Sequence, residues 1–238
     1  MHVKASAIKN VERSIVSGKY YSSHANGSGQ ARVIGSYGVG TLGDGTGVYA
    51  VAIGGAVAEQ AMISRGQMVL LPDNLDYNTA AALPNAVIGS EIGLRCKADI
   101  QPGDTVLIHG AKGFTGRVAI PIAKHYGAGK IIATGRNPGS LNTLLDLGAD
   151  EVVPLSQADA IFVAQIEAIH AQTPIGIIID YLWGHPAELL LAALQGKGSF
   201  THRTDLSRVE TVACALSHIE SVYNQALPDG KRLVIVME

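Results

Sequence analysis

Apolar positions along this 238-residue chain follow two different rhythms. Residues 27 to 66 are rich in Gly, Val and Ala, and short apolar pieces alternate with glycine turns. Within them "TLGDGTGVYAVAI" reads as a hairpin turning at Asp44-Gly45, because glycine accepts the positive φ of a tight hairpin turn. This region predicts small antiparallel strands forming a partial barrel. "DYNTAAALPNAVIGSEIGLRCKADI" then predicts a helix, with Asn78 or Thr79 as N-cap and a break or kink at Pro84.

After the turn "QPGDTV" the rhythm changes to strands and helices in alternation. "TVLIHG", "KIIATG", "ADEVVPL", "IGIIIDYL" and "GKGSFTHR" read as strands. "GRVAIPIAKHYG", "SLNTLLDLG", "DAIFVAQIEAIHAQT" and "PAELLLAALQG" read as the helices between and after them. The near-continuous apolar strands require cover on both faces, so the pattern predicts an α/β chain with a doubly wound parallel sheet. "LSHIESVYNQAL" adds a helix and "GKRLVIVM" a last strand.

Composition narrows the function classes. With 47% hydrophobic and 16% charged residues, the chain has material for a sizeable core. A formal net charge of −2 gives no electrostatic case for nucleic acid or an anionic membrane. Apolar runs stop well short of the roughly 20 residues of a membrane span. "MHVKASAIKN" has no apolar signal-peptide core, and the two cysteines, Cys96 and Cys214, stand outside any CxxC or Cys/His cluster. These features predict a cytoplasmic protein with no metal site.

The strongest motif is the loop Gly110-Ala111-Lys112-Gly113-Phe114-Thr115-Gly116, with a glycine at every third position between a strand and a helix. Glycine removes a Cβ where the backbone must turn and approach a pyrophosphate, and the helix N-terminus offers free N–H groups. In the first unit of an alternating series this pattern predicts a dinucleotide site. The end of the next strand selects the cofactor. Its sequence Gly135-Arg136-Asn137 sets a guanidinium where an acid would bond the ribose hydroxyls of NAD, which predicts NADP(H).

"GDTVLIHGAKGFTGRVAIPIAKHYGAGKIIATGRN" resembles the cofactor domain of zinc-independent medium-chain dehydrogenases/reductases, in the quinone oxidoreductase group. "VKASAIKNVERSIVSGKYY", "GGAVAEQAMISRGQMVLLPDNLDYNTAAALPNAVIGS" and "LPDGKRLVIVM" resemble, in order, other segments of the same proteins. The resemblance implies a GroES-like β-rich catalytic domain over 1–85, an NADP-binding Rossmann domain over 86–205, and a C-terminal helix and strand over 206–238 returning to the catalytic domain. It implies NADPH-dependent reduction of a quinone, an enone or a related carbonyl compound. Where zinc-binding relatives carry Gly-His-Glu, this chain has "IGSYGVG", so the resemblance implies no catalytic zinc.

The chain also departs from its relatives. It starts near the middle of their first hairpin, and "DLSRVETVACALSHIE" follows "GSFTHRT" where they continue through further strand and helices. The resemblance implies a homodimer, and the shortened segment removes much of the pairing surface. Tyr37 and Gly47 stand where many relatives carry an acid and a base, and Pro121 lies within the helix after the glycine loop.

By the same resemblance, Lys9 and Asn10 lie on the substrate side of the cleft, with Tyr20 and Tyr21 available to line a flat pocket. Asn85 and Ser90 fall where the nicotinamide should lie. Trp183 and His185 follow one strand, and His202 and Arg203 end another, at the sheet edge where ligands of such folds bind. Trp183 and His202 join the cofactor set. A dinucleotide-binding protein without catalysis is the alternative.

Overall fold

The computed structural model describes residues 1–20, 33–194, 211–215 and 232–236, the last two as backbone strands. The chain forms two compact units, Met1–Gly89 and Ser90–Glu238.

The first unit is a four-stranded antiparallel sheet in the order β1 (His2–Ala5), β2 (Tyr37–Thr41), β3 (Gly47–Ile53) and β4 (Met62–Leu70). The β2–β3 hairpin turns where the Asp44-Gly45 pair predicts. Leu42 N–H donates to the Thr46 carbonyl at 2.9 Å, the Asp44 carboxylate accepts the Thr46 N–H at 3.0 Å, and Gly45 takes φ +88°. Helix α1 (Asn10–Val16) intervenes between β1 and β2. Buried Val39, Ala80 and Ala81 form this unit's small core, with Tyr49, Leu71 and Leu75 packed against it.

Helix α2 (Tyr77–Glu91) is capped by Asp76, not by Asn78 or Thr79: the Asp76 carboxylate accepts the N–H groups of Asn78 (2.9 Å) and Thr79 (3.0 Å). An acid one residue before the helix starts meets the orphan donors of the first turn. Pro84 does not break the helix; it forfeits one backbone bond while the helix continues to Glu91 and into a π-helical turn, Ile92–Lys97.

The second unit carries the parallel sheet, in the order β7 (Glu151–Pro154), β6 (Lys130–Gly135), β5 (Thr105–His109) and β8 (Ile177–Asp180). The two-residue period divides its side chains between two faces. Val106, Ile108, Ile131 and Ala133 join one buried cluster with Ala119, Ile120 and Ala123 of α3 (Phe114–His125). Leu107 and Ile132 join another with Phe162 and Ile166 of α5 (Asp159–Gln172) and Leu190 and Leu194 of α6 (His185–Leu194). The chain winds outward from β5 through β6 to β7, then returns to β5's other side as β8. Ligands of open α/β sheets bind at such a reversal, outside the carboxyl ends of the strands.

Two local readings change. "SLNTLLDLG" is not one helix: α4 (Pro138–Leu141) gives way to a 3₁₀ turn, Asn142–Leu144. Leu141 and Leu144 are both buried, and a three-residue turn aligns side chains at that spacing. Thr211–Ala215 forms a strand, β9, which the sequence reading did not expect; it pairs in parallel with β10 (Arg232–Val236), the last strand that was. The strand read at "GKGSFTHR" and the helix read at "LSHIESVYNQAL" lie outside the described residues.

Candidate functional site

The three glycines of the loop do three different jobs. Gly110 leaves β5 at φ +81°, a conformation that favours glycine, and the Leu182 side chain occupies the place its Cβ would take, 2.7 Å away. Gly113 stands at the N-cap of α3, and a Cβ there would meet only the Gly110 carbonyl oxygen, at 3.6 Å, so the backbone is open to an approaching group. Gly116 lets α3 lie against the strand end: a Cβ would stand 2.6 Å from the Ala111 Cα. A tight turn, an open approach and a close helix–strand contact are what a pyrophosphate-binding glycine loop requires, so the residues fit a dinucleotide. Phe114 is exposed on the first turn of α3 and Thr115 half-buried.

Lys112 leans from this loop over the end of β6. Its Nζ donates to the Ser140 carbonyl at 3.2 Å and to Thr143 Oγ1 at 3.3 Å, and its Cβ lies 3.2 Å from where Gly135 would carry one. Arg136 follows, exposed, and Asn137 stands at the N-cap position of α4 without a side-chain capping bond. Lys112, Gly135, Arg136 and Asn137 thus gather at one strand end, with two cations among them.

The end of β8 lies beside the same loop. Tyr181 N–H donates to the His109 carbonyl at 3.0 Å. The Asp180 carboxylate accepts the N–H groups of Leu182 (2.9 Å) and Trp183 (3.2 Å), holding a turn in which Trp183 takes φ +58°. A bulky residue in the left-handed region is strained, and the Asp180 bonds and Gly184 accommodate it. Trp183 is 44% exposed. Ser90 Oγ and Tyr181 Oη share a hydrogen bond of 2.8 Å; burial pushes the Tyr181 phenol up, and the Ser90 bond partly offsets this. His185 bonds the Asp159 carboxylate at 2.9 Å.

Lys9, Asn10, Tyr20 and Asn85 belong to the first unit. Lys9 precedes α1; its N–H donates to Glu12 Oε2 at 2.9 Å, and its Nζ lies 3.2 Å from Glu12 Oε1, 3.3 Å from the Ala7 carbonyl and 5.0 Å from the Tyr37 ring centroid. Burial of Glu12 raises its carboxyl, but the backbone N–H groups of Glu12 and Lys9 and the Lys9 ammonium hold it below the usual carboxylate value. The Tyr37 ring stacks on Tyr49 with centroids 5.7 Å apart. Burial, with the nearby Tyr37 and Glu12, pushes the Tyr49 phenol up to about 12. Asn10 is exposed at the start of α1, Asn85 is exposed on α2, and Tyr20 is half-buried, its N–H bonded to the Ser14 carbonyl at 3.1 Å. Tyr21, His202 and Arg203 lie outside the described residues.

Sequence reasoning missed His109, Thr134, Asp180 and Leu182. For His109, Thr134 and Asp180 the signal was a polar residue at the end of each apolar strand, where side chains meet across neighbouring strand ends; Leu182 gave none. Among the described residues, no group of three or more His, Cys, Asp or Glu side chains could hold a metal ion, and no helix is long and apolar enough to cross a membrane.

No family model matches the chain. Individual proteins do. CurK enoyl reductase shares its fold at a TM-score of 0.70 with 26% identity, over 83% of this chain and 62% of that one. The quinone oxidoreductase of Sus scrofa is 30% identical over 130 residues, 55% of this chain and 39% of the relative. A mycobacterial protein, Rv1454c, solved in complex with NADPH, shares the fold at a TM-score of 0.67 with 21% identity, over 81% of this chain and 61% of that one. In sequence and fold the chain is similar to quinone oxidoreductases and enoyl reductases of the medium-chain dehydrogenase/reductase type, and its fold is a Rossmann-type parallel sheet with a GroES-like β-rich unit. The chain spans at most 39% of the length of the curated relatives it matches here.

Proposed function

We propose that this chain is an NADPH-dependent reductase that reduces a quinone, an enone or a related carbonyl compound without zinc. The observation that carries this reading is the division of labour among Gly110, Gly113 and Gly116, with Arg136 and Lys112 at the next strand end. In this reading the open backbone at Gly113 and the N-terminus of α3 take the pyrophosphate, and the two cations take the 2′-phosphate. Leu182 walls Gly110 from the β8 side, and Trp183 follows it in the turn held by Asp180.

Bound NADPH supplies a hydride to carbon, and the oxygen left negative on the substrate needs only donors or water. The protein's share is position and a dry pocket. Asn10 and Lys9 are the candidate donors and Tyr20 a candidate pocket wall. Lys9 already serves Glu12, Ala7 and the Tyr37 ring, which favours a second reading: dinucleotide binding without turnover.

The test uses the single tryptophan, Trp183. Quenching of its emission by NADPH, followed by NADPH oxidation when quinones or enones are added, supports the reductase. Quenching with no oxidation across the panel supports the second reading, and no quenching contradicts both.

A further inference from the structure

We propose that Thr134 and His109 are positioning residues: a buried hydrogen-bond relay through them fixes the first turn of the glycine loop and thereby sets dinucleotide affinity. The proposal rests on the cofactor reading above and extends it to residues that do not touch the ligand.

The relay begins at the loop. Gly110 N–H donates to Thr134 Oγ1 at 3.1 Å, and Ala111 N–H donates to the Thr134 backbone carbonyl at 2.8 Å. One residue of β6 therefore grips the first two residues of the loop, once by its side chain and once by its backbone. Thr134 Oγ1 also lies 2.8 Å from His109 Nδ1, and both side chains are fully buried.

Proton accounting orders the chain. The Thr134 oxygen accepts from Gly110, so the hydroxyl's own proton needs an acceptor, and a buried polar hydrogen without one is costly. Nδ1 of His109 is at hand and accepts it. Nδ1 then carries no proton and the neutral ring is the Nε2–H tautomer, with Nε2 buried and without a hydrogen-bond partner among the described residues.

His109 is held on its other sides as well. The Phe162 ring of α5 lies 6.2 Å away between centroids, and Tyr181 of the β8 turn bonds the His109 carbonyl. Asp180, at the end of β8, is the charged group that faces the imidazole; β6 contributes Thr134, and α6 contributes the Pro186 backbone. Burial pushes the ring's pKa down, and Asp180 and Pro186 pull it only partly back. A proton on Nδ1 would set a second N–H against the Thr134 oxygen and force the hydroxyl proton to turn away from the ring. The Thr134 oxygen has lone pairs for both donors, so acidification leaves the hydroxyl proton without its acceptor and loosens the side chain that holds Gly110.

Two measurements on the full chain test this. First, NADPH affinity is titrated by Trp183 quenching from pH 5 to 8 in wild type, Thr134→Val and Thr134→Ser. Val keeps the shape and removes the hydroxyl; Ser keeps the hydroxyl. The expected results are a loss of about tenfold in T134V at pH 7, with a flattened pH profile, and recovery of affinity and profile in T134S. T134V binding like wild type with the same profile would overturn the proposal, as would a T134S defect equal to that of T134V. Second, the ring nitrogen shifts of His109, assigned by comparison with H109Q, report its tautomer without any cofactor. The Nε2–H form is expected, and the Nδ1–H form would overturn the relay. Failure of wild type to bind NADPH or NADH would count against the cofactor reading, while the tautomer still decides the relay.

Discussion

Gly116 and Ala111 touch so closely that a Cβ on Gly116 would stand 2.6 Å from the Ala111 Cα and 2.7 Å from the Gly110 carbonyl oxygen. The neighbouring atoms are backbone, with no flexible side-chain end to yield. G116A should therefore push α3 from β5 and destabilise the chain by about 1–3 kcal/mol. Gly113 has an ordinary φ of −64° and open space, so G113A should leave the melting temperature nearly unchanged while weakening NADPH binding. Thermal unfolding and a binding titration on both variants check the split. Equal loss of stability in the two would mean that the glycines do not divide their roles in this way.

Arg136 is exposed beside Lys112 at the end of β6. Replacing it with Ala should weaken NADPH by roughly tenfold, the scale of one charge-assisted contact, and leave NADH almost unaffected. Parallel titrations with the two dinucleotides measure this. A similar loss for both would remove Arg136 from cofactor choice.

Lys9 sits against Glu12, whose side chain is only 2% exposed. Removing the cation strands a carboxylate held away from water, so K9M should lower the melting temperature, and K9R should retain most of it. If Lys9 instead acts on substrate, K9M keeps its stability and loses turnover. Melting curves set beside reductase rates separate the two roles.

These tests rest on features of unequal visibility in the sequence. The parallel sheet was legible because its strands are buried on both faces and read as unbroken apolar runs. The glycine loop was legible because three glycines at fixed spacing have a backbone reason. The cap at Asp76 was misplaced by two or three residues, since Asp76, Asn78 and Thr79 can all accept an N–H and only geometry selects among them. The break at Leu141–Asn142 was hidden because a Leu pair three apart suits an α-helix and a 3₁₀ turn alike. His109, Thr134 and Asp180 were hidden for a deeper reason. Each is unremarked within its own strand, and their link appears only when β6, β5 and β8 align in register.

Histidine chemistry gives a prediction for pH. Burial holds the folded-state pKa of His109 below its ordinary 6.5. The unfolded chain takes up a proton near pH 6.5 that the folded chain refuses until lower pH, so stability present above 6.5 is lost as pH falls through the folded value. His185 acts in the opposite sense. Its bond to Asp159 raises its pKa, so its contribution is present in acid and lost as pH rises through the folded value; exposure keeps it small. The melting temperature of wild type should fall between about pH 6.5 and 5, less steeply in H109Q, and at the wild-type slope or more steeply in H185Q. An unchanged slope in H109Q would show that His109 does not govern this range.

The most direct test of the central claim is to melt the purified chain alone, with NADPH and with NADH. A ligand that binds the folded state raises the midpoint, by about 2.7 kcal/mol of stability at a hundredfold excess over Kd. The account predicts a clear rise with NADPH and little with NADH. No rise with either would contradict the assignment of Gly110–Gly116 as a dinucleotide site.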